Sequence, residues 1–159
     1  MDTQMITRNW VPPEEHAKLP RGWALAVVDG SRRQDGQLVV GGAIFDRGGR
    51  LVRCFSRPSG TGGTSTEAEY RAIRTAVKLG KRMGFKGIRI LTDAKSVAEA
   101  INAESAPQFR RPELCRIYQS VTSMIRSAAA VFDVRWVRRG NVTPAHRLAN
   151  AAAHGRLVL

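Results

Sequence analysis

The sequence predicts an α/β fold: a five-stranded mixed sheet, three antiparallel strands and then crossovers, flanked by helices in the order β-β-β-α-β-α-α-β-α. Three observations carry this expectation. An apolar, β-branched run, Trp23 to Ser31, ends abruptly in Asp29-Gly30-Ser31 and reads as a central strand buried on both faces. Two more strand-like runs follow it, separated only by a polar loop and a glycine turn. Beyond them, stretches with helical spacing alternate with short β-rich runs, the pattern of crossover connections.

Met1 to Gly22, with Pro12, Pro13 and Pro20, has little periodicity and reads as an irregular extension to a domain spanning residues 23–159. Trp10 is expected to dock the extension, because so large a ring is rarely left in water. After the first strand comes a polar loop, Arg32 to Gln37, and a second strand, Leu38 to Phe45. Gly30 lets a backbone or a ligand approach closely, and Gly41-Gly42 marks a bulge or a close contact. Asp46-Arg47-Gly48-Gly49 turns the chain into a third strand, Arg50 to Phe55, followed by a loop over Arg57 to Gly63.

The next stretch begins at Ser65. Ala68, Ala72, Ile73, Ala76, Val77 and Leu79 recur at helical spacing. Thr66 followed by Glu69 makes a capping box at its start, and Gly84 ends it. Gly87 to Thr92 is a fourth strand closed by Asp93, and Ala94 to Ala103 a short helix. A longer helix starts at Pro112 with Leu114, Ile117, Tyr118, Val121, Met124 and Ile125 on one face. Val131 to Val137 is the fifth strand, Arg138 to Thr143 a basic loop, and Thr143-Pro144 opens the last helix.

The chain has 159 residues, enough for one domain with a real core. Its 26 Lys+Arg against 13 Asp+Glu leave a net charge of +13, which predicts a polyanionic partner. A membrane surface is the weaker candidate, because no long basic amphipathic helix with bulky apolar residues is evident. Cys54 and Cys115 make no disulfide framework and are expected as buried thiols. Neither a signal-peptide core nor a membrane-length apolar run is present, so a cytoplasmic protein is expected.

Three acids share a pattern. Asp29 ends the first strand, Asp93 ends the fourth, and Glu69 lies on the sheet-facing stripe of the long helix. Right-handed crossovers place the first and fourth strands side by side, so the three converge. Like charges that close need a counter-charge, and hard cations ligated by oxygen supply it. An acidic pocket in a basic chain suggests phosphodiester chemistry. Each acid also has a plainer reading: a capping glutamate for Glu69, a helix N-cap for Asp93 and a turn residue for Asp29.

These residues resemble type 1 ribonuclease H. The likeness lies in Asp29-Gly30-Ser31, Gly41-Gly42-Ala43, Ala68-Glu69-Tyr70-Arg71-Ala72, Thr92-Asp93-Ala94-Lys95-Ser96-Val97, and the tail from Val134 through Trp136-Val137-Arg138-Arg139 to Arg147-Leu148-Ala149-Asn150. It extends from about Trp23 to the end and implies a ribonuclease H-like fold. It also implies an endonuclease that cuts the RNA strand of an RNA–DNA hybrid, leaving a 5′-phosphate and a 3′-hydroxyl. Asp29, Glu69 and Asp93 would then bind two Mg²⁺ ions, one activating water and one stabilising the leaving oxygen. Gly30, Ser31, Ser65 and Thr66 match positions that family members use to sense 2′-hydroxyls.

Two departures stand out. The family's last helix opens with Ala-Asp, whereas here His146 stands in Ala145-His146-Arg147-Leu148-Ala149. Either His146 is a solvated residue, or its neutral imidazole completes the site as a metal ligand or through water. Imidazole prefers softer ions than Mg²⁺, so Mn²⁺ is expected to substitute or to be preferred. The segment Glu104 to Arg111 is also too short for the basic helical insertion of some members. Hybrid affinity must then come from elsewhere, with Arg138 and Arg139 as candidates, and Lys78, Lys81, Arg82 and Lys86 beside them. The chain is expected to act as a monomer. The rival reading is a non-catalytic nucleic-acid-binding module of the same fold, with His146 marking a decayed site. A third is a nuclease of this fold acting on branched DNA.

Overall fold

A computed structural model describes residues 10–154. The first nine residues of the expected extension and the last five of the chain lie outside that range. The elements are α1 (Glu14–Ala17), β1 (Trp23–Arg32), β2 (Gln37–Phe45), β3 (Leu51–Thr61), α2 (Ser65–Met83), β4 (Gly87–Thr92), α3 (Lys95–Asn102), α4 (Pro112–Ser127), β5 (Val131–Trp136) and α5 (Thr143–Ala153). From Trp23 onward the helix and strand order is the one expected. The sheet runs β3-β2-β1-β4-β5, antiparallel through β3, β2 and β1 and parallel through β1, β4 and β5.

β1 is the centre of the sheet, and residues 24–30 of it are all buried. Its side chains alternate between two cores. Ala24, Ala26 and Val28 face a core built with Ile73, Ala76 and Val77 of α2 and with Ile117, Tyr118 and Val121 of α4. Leu25 and Val27 face a second core closed by Ala145 and Leu148 of α5.

Two glycines set how closely the helices sit on this sheet. Gly30 faces α2, and a Cβ there would collide with the backbone of Ala68. Gly41, paired with Asp29, faces α5, and a Cβ there would strike the Ala149 and Ala145 backbone. Only glycine lets both helices approach at these points. Gly41→Ala should therefore cost about 3 kcal/mol in chemical denaturation, because the obstacle is helix backbone rather than a movable side chain. A cost below about 0.5 kcal/mol would refute this packing.

Four local expectations are corrected. The loop predicted over Arg57 to Gly63 is strand as far as Thr61. β3 is an outer strand, where Pro58 can be accommodated despite its missing N–H. The capping box at the start of α2 is shifted by two residues. Thr64, not Thr66, is the N-cap, and its hydroxyl accepts from the N–H of Glu67 at 3.1 Å. The basic loop after β5 contains a 3₁₀ turn, Arg139–Val142. Gly84 ends α2 in the left-handed conformation, as expected. Cys54 and Cys115 are half-buried rather than buried, and both are free thiols.

The extension packs on the domain through Trp10. Its ring stacks on Phe45 at 4.8 Å, and its indole N–H donates to the Asn141 carbonyl at 3.3 Å. Arg89 donates to the carbonyls of His16 and Lys18, Arg47 donates to that of Leu19, and the Leu19 side chain is buried in the second core. Among the described residues, no helix is long and apolar enough to cross a membrane.

Candidate active site

The parallel register of β1 and β4 pairs Val27 with Leu91. Asp29 and Asp93 each stand two residues further on, so both carboxylates reach the same end of the sheet. Asp29 is buried at 6% exposure on the α5 side. Thr92 holds the turn into α3, its hydroxyl accepting from the Ala94 N–H at 3.1 Å. Asp93 is thus not a helix cap; the N-cap of α3 is Ala94. Glu69 is released from capping by the Thr64–Glu67 pair and turns toward the sheet. There its Oε2 accepts from the Gly30 N–H at 3.3 Å. Asp29, Glu69 and Asp93 each offer an oxygen, and these oxygens all lie within 4.8 Å of one another.

This proximity carries an electrostatic penalty. The Glu69 carboxyl is pushed up to about 10, first by burial, then by the charges of Asp29 and Asp93 and a hydrogen bond with Asp29. The Gly30 N–H opposes the shift. Asp93 is also raised, by burial and then by Asp29, against the pull of Arg139 and His146. An oxygen-only donor set this repulsive fits a hard divalent cation, which would relieve the crowding.

The stability consequence has a definite sign. Glu69 ionises at higher pH in the folded chain than in the unfolded one, so the folded state holds more protons in between. Metal-free stability is therefore greatest in mild acid and declines as pH rises from about 4.5 toward 10. Glu69→Gln keeps an oxygen for the Gly30 N–H and removes the proton that the folded chain must hold and the unfolded chain releases. It should raise the metal-free Tm at pH 8 by about 3 °C. Thermal unfolding in chelator checks this, and a lower Tm would contradict the crowding.

His146 reaches the cluster from outside. Its Nδ1 lies 3.1 Å from Asp29 Oδ2, with about half of its side chain exposed (52%). It is placed there by α5, which Gly41 admits beside Asp29. Ser31 is half-buried at the end of β1, Ser65 is exposed and Thr66 is half-buried in the first turn of α2. Arg138 and Arg139 are exposed at the 3₁₀ turn, and Arg139 is near enough to act on Asp93. Sequence reasoning missed Thr64 and Thr92, whose hydroxyls position Glu69 and Asp93 indirectly. The signal for Thr64 is a Thr-x-x-Glu frame two residues before that of Thr66.

The sheet order, the two helical layers and the acids at one end define a ribonuclease H-like protein. Three ribonuclease H structures are among those that share the fold. Ribonuclease H1 from the halophilic archaeon Halobacterium salinarum superposes with a TM-score of 0.75 and 22% identity, covering 84% of this chain and 98% of that one. The N-terminal ribonuclease H domain of a Mycobacterium tuberculosis protein gives 0.73 and 22%, covering 84% and 95%. LC11-RNase H1, isolated from compost by a metagenomic approach and solved with an RNA/DNA hybrid, gives 0.71 and 17%, covering 83% and 97%.

At the level of sequence, the reverse transcriptase-like family model matches residues 27–152, and the chain belongs to that family. A search of curated proteins found no match.

Proposed function

We propose that the protein is a metal-dependent endonuclease that hydrolyses the RNA strand of RNA–DNA hybrids, leaving 5′-phosphate and 3′-hydroxyl ends. The single observation that carries this is the trio Asp29, Glu69 and Asp93, crowded at one end of the sheet in a chain of net charge +13. The three carboxylates would hold two Mg²⁺ ions, with Mn²⁺ as substitute or preferred ion. Bound there, divalent ions supply Lewis-acid stabilisation at the scissile phosphate and ease ionisation of the attacking water.

The chain's own groups do the rest. Asp29 lies inside β1, paired with Gly41, and is not a turn residue, while Asp93 directly follows β4; both stand just past the last pairing of the two strands, so their geometry is set by the sheet. Glu69 gives up its proton when a cation arrives, which makes cation affinity rise with pH. His146 acts through its bond to Asp29, fixing the direction of that carboxylate. Arg138 and Arg139 meet substrate phosphates from an exposed turn. Gly30, Ser31, Ser65 and Thr66 lie on the elements that carry the acids, and the hydroxyls are suited to reading 2′-hydroxyls. The catalytic unit is residues 23–159, with 1–22 as its extension, acting as a monomer.

The test is a labelled hybrid incubated with each metal in turn and its product ends identified. Cleavage of the RNA strand only with a divalent ion supports the proposal. The imidazole where the family's fourth acid is expected favours a second reading, a non-catalytic binding module. Tight hybrid binding without cleavage in Mg²⁺ or Mn²⁺ would establish that reading instead.

A further inference from the structure

α2 has a basic face turned away from the acid cluster. At about 100° per residue, Arg71, Arg74, Lys78, Lys81 and Arg82 fall within about 100° of arc, centred opposite Glu69. They extend about 16 Å along the helix. Lys78, Lys81 and Arg82 are exposed, and Arg57 of β3 lies close enough to act on Lys78. Arg71 is paired with Glu67 at 3.6 Å, and Arg74 donates to the Ser120 hydroxyl at 3.5 Å. Among the described residues, no carboxylate lies within ion-pair distance of Arg57, Arg74, Lys78, Lys81 or Arg82.

This arrangement works against the fold. Like charges at i and i+4, as in Arg74–Lys78 and Lys78–Arg82, destabilise a helix. The Lys78 ammonium is held below the ordinary lysine value, chiefly by Arg74, then by burial, Arg57 and Arg82. A polyanion laid along the strip would remove the repulsion. The exposed positions on this arc carry no bulky apolar residue to enter a membrane, which argues against a lipid surface. A nucleic-acid backbone, with a phosphate for every 3.4 Å of rise per strand, offers about five charges over the same length.

We propose that the strip formed by Arg57, Arg74, Lys78, Lys81 and Arg82 is a second nucleic-acid contact, gripping phosphodiester backbone away from the acid cluster. It rests on the nuclease reading only in taking nucleic acid as the polyanion. The backbone is either the far part of the duplex being cut or a separate segment.

The experiment measures binding of the full chain in chelator to hybrids of about 10 and about 30 base pairs across a salt series. Wild type is compared with Arg57→Ala/Lys78→Ala/Arg82→Ala and, sparing the half-buried Arg57, with Lys78→Gln/Arg82→Gln. For the long hybrid the slope of log Kd against log salt should fall by about two units or more, with roughly tenfold weaker binding at moderate salt. If the strip grips the far part of one duplex, the short hybrid moves little and one long duplex binds per protein. If it grips a separate segment, wild type binds two short duplexes and the variants one. Unchanged slope and stoichiometry would overturn the proposal, as would a loss confined to anionic phosphatidylserine vesicles. A changed slope in a chain that cleaves no hybrid would defeat the nuclease reading and leave the strip standing.

Discussion

Asp29→Asn should lower divalent-dependent hybrid cleavage by about a thousand-fold at saturating substrate. Asp29 is the most buried of the three acids and shares contacts with both Glu69 and His146. Its loss removes a ligand that no other described carboxylate is placed to replace. Metal-ion stabilisation of a phosphoryl transition state is worth several kcal/mol, and about 4 kcal/mol corresponds to three orders of magnitude. Hybrid affinity in chelator should be kept or improved, because the variant repels phosphates less. A rate within tenfold of wild type would mean that the chemistry lies elsewhere.

His146→Asp should move activity and stability in opposite directions. A fourth carboxylate beside Asp29 adds a further oxygen donor and strengthens the binding of a hard cation such as Mg²⁺. The Mg²⁺-supported rate should rise by about tenfold, the lower end of the range for groups that support metal ligands. The preference for Mn²⁺ over Mg²⁺ should shrink with it. In chelator the same change adds a negative charge to an already crowded cluster, and the Tm should drop by about 3 °C. Rates in Mg²⁺ that match wild type would show that the position is catalytically idle.

The acids were legible because their placement is set by features that a sequence displays. A two-sided apolar run ending in Asp-Gly, and a β-rich run ending in Thr-Asp, fix two carboxylates where the pairing of two parallel strands runs out. The frame of α2 was not legible. Thr64-Ser65-Thr66-Glu67-Ala68-Glu69 contains two overlapping Thr-x-x-Glu boxes, equivalent by local rules. The close approach that Gly30 permits fits the earlier frame, in which Glu69 is free to face the sheet. Tertiary packing thus decides a choice that local propensity leaves open. The length of β3 was hidden for a similar reason. Arg57-Pro58-Ser59-Gly60 reads as a loop until the strand is known to be the outermost. His146 was found as a departure from a pattern, but its contact with Asp29 depends on how deeply α5 sits, which is set by Gly41 on a distant strand.

The Trp10 side chain joins Phe45 of β2 to Asn141, two residues past Arg139 and five before His146. Slack introduced at the front of the chain would therefore be felt at the turn beside the acids. Proteolytic nicking near residue 12, or tension from a neighbouring fusion partner, would weaken the grip on substrate while every ligand stayed in place.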